Sequence, residues 1–98
     1  LLVDMPTPDD NRYRLLIARP ATRALTDALL PKIAQAAYAF TTGPLLEDPR
    51  RVGKPLRALL PPAYSARRGE YRILYLIDEP TGTVEVTAIS RRSDAYRP

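Results

Sequence analysis

The chain contains no cysteine and no histidine. The first absence removes disulfides, thiolate catalysis and cysteine-based zinc sites together. The second removes the side chain that titrates near neutrality and the commonest metal ligand. Most standard hydrolase schemes are thereby excluded. Nor is there an apolar run near the roughly 18 residues that a membrane span needs, or a basic stretch followed by an apolar one at the start, as a signal peptide requires. At 98 residues, with 45% hydrophobic and 27% charged side chains, the composition is that of one small globular domain.

Charge is more informative by position than by sum. Fifteen Lys and Arg against eleven Asp and Glu give +4. Between Glu47 and Arg72 lie seven bases (Arg50, Arg51, Lys54, Arg57, Arg67, Arg68, Arg72) and three acids (Glu47, Asp48, Glu70), again +4. The remaining eight bases and eight acids cancel, so the whole excess sits in one stretch. A local patch that prefers Arg over Lys is what phosphate ligands call for, although a basic stretch also serves simply as solvated surface.

The first eleven residues, Leu1 to Asn11, carry two prolines and three aspartates without periodicity. They read as a flexible leader or a remnant of expression cloning, and residues 12–98 as one domain. Alternation from Arg12 to Ala18 predicts a strand. Pro20 suits the first turn of a helix, and Ala21, Ala24, Leu25, Ala28 and Leu29 follow at helical spacing. Pro31 opens a second helix, whose stripe of Ile33, Ala36, Ala37 and Phe40 stops at Gly43-Pro44. A proline-punctuated basic connection runs from Leu45 to Ala63. Three strands then follow, in YSARR, YRILYLID and TVEVTAIS, with Gly69-Glu70 as a two-residue hairpin turn and Asp78 to Gly82 as the next. Tyr71 to Ile77 is apolar on both faces and reads as the central strand. In the last strand Val84, Val86 and Ala88 alternate with Glu85 and Thr87. The order β-α-α-β-β-β predicts an α+β domain, with a helical hairpin packed on one face of a small, mostly antiparallel sheet.

Taken literally, the hairpin sets Arg68 opposite Tyr71, and Arg67 opposite Arg72 on the other face. Like charges directly across a strand pair repel, unless both are solvated or an anion lies between them. Arg91 or Arg92 is expected to approach Arg72 if the last strand pairs with the central one. Converging guanidiniums make a phosphate site, and Tyr96 beside them offers a base-stacking face or a proton-transfer group. Tyr71 and Tyr75 read as packing residues.

The run from Tyr64 to Tyr75, YSARRGEYRILY, resembles the hairpin signature of RelE/ParE superfamily toxins, most of all the RelE branch. The ending Ile89-Ser90-Arg91-Arg92-Ser93-Asp94-Ala95-Tyr96 resembles that family's terminal strand and tail, and Arg51 to Leu56 matches a short Gly-Lys-x-Leu stretch. The resemblance spans about Tyr13 to Tyr96. It implies a cytoplasmic, ribosome-dependent mRNA interferase that uses no metal or other cofactor, with the ribosome and mRNA as partners. A RelB-type antitoxin would hold it inactive in a hetero-oligomer. By position, it assigns catalytic roles to Arg67 (nucleophile side), Arg72 (phosphorane), Arg92 (phosphate and leaving oxygen, with Arg91 as the alternative register) and Tyr96 (stacking or proton shuttle). Arg50, Arg51, Lys54, Arg57, Arg68 and Arg91 are then the RNA- and phosphate-binding candidates. Ser65 departs from the pattern, standing where some RelE toxins are basic, so one cation is missing unless Arg68 replaces it. Two alternatives stand beside this implication: a ParE-like inhibitor that acts by binding gyrase, and a catalytically weak antitoxin-binding domain.

Overall fold

The structure is a computed structural model in which residues 12–56 and 63–91 are described. Strand β1 (Arg14–Ile17) leads into α1 (Arg19–Arg23), which continues through a π-helical turn (Ala24–Ala28). Leu29 closes that turn by donating its amide to the Ala24 carbonyl at 3.0 Å. The extended backbone of Leu30 (ψ 145°), which the following Pro31 favours, then breaks the chain direction. Pro31 opens α2 (Pro31–Thr42), and Pro44 opens the single turn α3 (Pro44–Glu47). Four strands follow: β2 (Lys54–Leu56), β3 (Ala63–Arg68), β4 (Tyr71–Asp78) and β5 (Thr83–Arg91).

The sheet order is β1-β5-β4-β3-β2, with β1 parallel to β5 and every other pair antiparallel. The expected α+β architecture is present, with β4 at its centre. Two elements go beyond the expectation. The basic connection contains β2, which adds an edge strand to β3, and α3 forms before it. Residues 1–11, and with them the expected leader, lie outside the described residues.

Ala66, Tyr71, Ile73, Tyr75, Val84, Val86 and Ile89 are buried on one sheet face and pack with Ala21, Ala24, Leu29, Ile33, Ala37 and Phe40 of the helices. The other face is open. Keeping both Val86 and Ile89 in the core requires a break in alternation, because they are three residues apart. β5 supplies it with a bulge: Leu74 pairs with Ala88 but Tyr75 pairs with Val86, leaving Thr87 as the extra residue. The Thr87 hydroxyl donates to the Leu74 carbonyl at 3.2 Å and anchors the bulge. This corrects the sequence expectation for the last strand. Ala88 shares the open face with Leu74, because burying isoleucine at 89 removes more apolar surface than burying alanine at 88.

Tyr75 is fully buried, and its hydroxyl donates to the Pro49 carbonyl at 2.6 Å. Burial pushes its pKa from 10.0 up to about 12. The folded protein therefore keeps this proton at a pH where the unfolded chain releases it. The contribution of Tyr75 to stability is expected to be constant below about pH 10 and to fall as the pH rises through about 12. Tyr75→Phe is expected to remove its share of that alkaline loss, as read by denaturant melts across the range.

Candidate active site

The hairpin of β3 and β4 builds the site. Gly69 takes φ +52°, the left-handed conformation that a primed two-residue turn demands. The register then sets Arg67 opposite Arg72 and Ser65 opposite Leu74, all on the open face. β2 extends that face by one strand, with Lys54 directly opposite Ser65. Together Arg51, Lys54, Ser65, Arg67 and Arg72 line a groove of about 410 Å³, with Val52, Gly53 and Leu56 as further wall and Arg68 at its end. Arg72 is half-buried, its Nε wholly so. Two arginines directly opposed repel each other, and an anion between them turns that repulsion into attraction.

The wall formed by residues 48–53 is held from beneath. Arg51 and Val52 donate their amides to the Asp48 carbonyl at 3.1 and 3.3 Å, closing a turn, and the Tyr75 hydroxyl fixes Pro49. Gly53 lies so close to the Tyr75 hydroxyl and to the Ser65 carbonyl that a Cβ there would meet both. Periodicity does not reveal this contact, because the three residues come from three separate segments.

Arg50 is turned away from the groove. Its guanidinium bonds Glu79 through Nε at 3.0 Å and Nη2 at 2.5 Å, and Tyr64 through Nη1 at 2.9 Å. The Tyr13 hydroxyl donates to the same carboxylate at 2.8 Å. Hydrogen bonds from Arg50 and Tyr13 hold the Glu79 pKa below the ordinary carboxylate value, and the bond to Glu79 raises that of Tyr13. Acidification through the Glu79 titration therefore removes the stability contributed by this cluster.

Arg68 is on the opposite sheet face from Arg67, with its guanidinium 4.8 Å from the centre of the Phe40 ring. The cation directly opposite Ser65 on the groove face is therefore Lys54, and Arg68 reaches the groove only at its end. Arg91 pairs with Tyr71, whereas Ser90 pairs with Arg72. The Thr87 bulge thus puts Arg91 on the helix side and away from Arg72. Arg57, Arg92 and Tyr96 lie outside the described residues.

A larger cavity, of about 740 Å³, lies towards the other end of the sheet. Leu16, Leu76, Asp78, Glu79 and Glu85 are among its lining residues, and no cation is. Among the described residues no group of three or more Asp, Glu, His or Cys gathers to hold a metal, and no helix is long and apolar enough to cross a membrane.

Residues 17–96 match the family described as the ParE toxin of the type II toxin–antitoxin system parDE. The chain is 48% identical to Toxin RelE of Mycobacterium tuberculosis over 89 residues, 91% of each chain. It belongs to the RelE/ParE toxin family, in the RelE branch. A second relative, Toxin RelG of the same organism, is 48% identical over 70% of this chain and 79% of its own. The toxin–antitoxin complex RelBE2 of M. tuberculosis contains a chain of the same fold, with TM-score 0.77 and 42% identity, over 83% of this chain and 99% of that one. This RelE-family chain is therefore a toxin of a type II toxin–antitoxin system. Its groove lies on the sheet face that the helices leave uncovered, between the hairpin carrying the family signature and the Gly53-Lys54 stretch.

Proposed function

We propose that the groove cleaves mRNA on the ribosome by attack of a ribose 2′-hydroxyl on the adjacent phosphate. The observation that carries this reading is the direct opposition of Arg67 and Arg72 in one groove with Lys54 and Arg51. Arg72 stabilises the charge of the pentacovalent phosphorane, and Arg67 supports the nucleophile side. Of the two arginines in the tail, Arg92 neutralises the phosphate and the departing 5′-oxygen, since Arg91 pairs with Tyr71 on the other face. Tyr96 stacks on a base or passes the proton. The products are a 2′,3′-cyclic phosphate and a 5′-hydroxyl.

Arginine stays protonated at neutral pH and is a poor general base. Catalysis by this set is thus mainly electrostatic and positional, with ribosomal RNA completing the geometry, and free RNA is cut poorly. The protein works in the cytoplasm without metal. A RelB-type antitoxin holds it in a hetero-oligomer, an acidic segment lying across the cationic groove. The match of residues 17–96 to the ParE toxin family supports a second reading, inhibition of gyrase by binding. Near-full-length similarity to Toxin RelE, at 48% identity, together with the arginine groove, favours the nuclease.

Primer extension on mRNA in a purified translation reaction tests the proposal. Cuts in register with the A-site codon, present with ribosomes and weak on naked RNA, are the expected result. No cut, with inhibition of gyrase supercoiling by the same protein, would transfer the chain to the second reading.

A further inference from the structure

The hairpin is basic on both faces, and the two faces are not equivalent. Tyr71 is the midpoint of the second face. It is buried, and its hydroxyl donates to the Ala36 carbonyl of α2 at 3.2 Å. Arg68 is its register partner on β3 and Arg91 its register partner on β5, so the two arginines flank one tyrosine on the helix side of the sheet. Both are exposed. Among the described residues neither forms an ion pair; Arg68 reaches only the neighbouring Arg67 carbonyl, at 3.2 Å, and the face of Phe40. Two strand spacings separate their backbones by about 10 Å, a span that long arginine side chains adjust to neighbouring phosphates on a nucleic-acid backbone. Arg91 joins this row because the Thr87 bulge reverses the alternation of β5.

We propose that Arg68 and Arg91 form a second anion-binding row, which grips the phosphate backbone of structured RNA while the opposite face of the hairpin holds the strand to be cut. This inference rests on the reading of the groove as a nuclease site, and it names the ribosome's own RNA as the partner of the second face. The chemistry favours RNA over a protein partner. Tyr71 between the two arginines and Phe40 beneath the Arg68 guanidinium are both buried, so the row offers charge without the exposed apolar anchor that a protein interface needs. Charge with regular spacing is what a phosphate backbone recognises. The hairpin then acts as a wedge, with mRNA on one side and ribosomal RNA on the other.

The test compares wild-type protein, Arg68→Ala/Arg91→Ala and the charge-matched control Arg19→Ala/Arg23→Ala, whose residues are exposed on α1. Binding to purified ribosomes is followed by co-sedimentation at several salt concentrations, and cleavage by primer extension. The hairpin double variant is expected to weaken ribosome binding about tenfold or more, to flatten the salt dependence by about two contacts, and to raise KM by a larger factor than it lowers kcat at saturation. The control is expected to do none of these. Equal behaviour of the two double variants would overturn the inference. So would unchanged ribosome binding with weakened binding of the antitoxin, which would assign the row to a protein. Wild-type protein that sediments with ribosomes but never cuts would instead refute the nuclease reading, while its salt dependence still reports on the row.

Discussion

Replacing Arg72 by alanine is expected to lower ribosome-dependent mRNA cleavage by about two to three orders of magnitude, roughly 3–4 kcal/mol in the barrier. The residue sits on the central strand, half-buried, directly opposite Arg67 and at the base of the groove. An exposed cation elsewhere on the surface is screened by water, whereas one held in a partly desolvated groove acts on developing phosphate charge with less screening. Lysine at this position keeps the charge but loses the planar, two-pronged donor set, so Arg72→Lys is expected to recover only a small part of the lost rate. The loss belongs in kcat rather than KM, because the phosphorane carries more charge than the ground state. Primer extension at saturating ribosome concentration reads this directly. An alanine variant that retained more than a tenth of the wild-type rate would remove Arg72 from the proposed mechanism.

The second large effect is expected at a residue with no functional group. A methyl at Gly53 would press on the Tyr75 hydroxyl and on the Ser65 carbonyl, the latter at 2.9 Å. Tyr75 cannot yield easily, since it is fully buried and bonded to Pro49, and Ser65 belongs to the ladder between β2 and β3. The 48–53 wall must then move outward, carrying Arg51 and Lys54 away from Arg67 and Arg72. Gly53→Ala is expected to cost about 1–3 kcal/mol of stability and to lower cleavage as well. For a domain of this size the melting temperature is then expected to fall by about 5 °C or more. Tyr75→Phe removes the nearest of the obstructing atoms, so the double variant Gly53→Ala/Tyr75→Phe is expected to be less damaged than the sum of the two singles. Strict additivity would show that the Tyr75 hydroxyl is not what excludes a side chain at 53.

Much of the fold is legible in the chain because its signals are local. Pro31 and Gly43-Pro44 punctuate α2, Gly69 fixes the hairpin turn, and the apolar run from Tyr71 to Ile77 marks the strand at the centre of the sheet. The pairing of Arg67 with Arg72 follows from the turn alone, since a two-residue loop leaves a hairpin one register. β2 is harder to read: three residues with a proline in the middle show no alternation, and they become a strand only because β3 presents an unpaired edge.

The site divides in the same way. The basic character of the stretch from Glu47 to Arg72, the opposition of Arg67 and Arg72 and the RelE resemblance are properties of the sequence. Which cations share the groove is not. Arg50 and Arg51 are neighbours in the chain, yet Glu79 and Tyr64 draw the first away while the second lines the groove. Lys54 reaches the place beside Ser65 through a long-range strand pairing. Arg91 is kept from the face of Arg72 by a bulge at Thr87 that exists to bury Ile89 rather than Ala88. The sequence by itself determined the elements, the hairpin register and the sign of the surface, because turn chemistry and hydrophobic period act within a few residues. Only the tertiary structure decided which charged side chains meet, because one extra residue in a strand, or one distant carboxylate, sends an arginine to the other face.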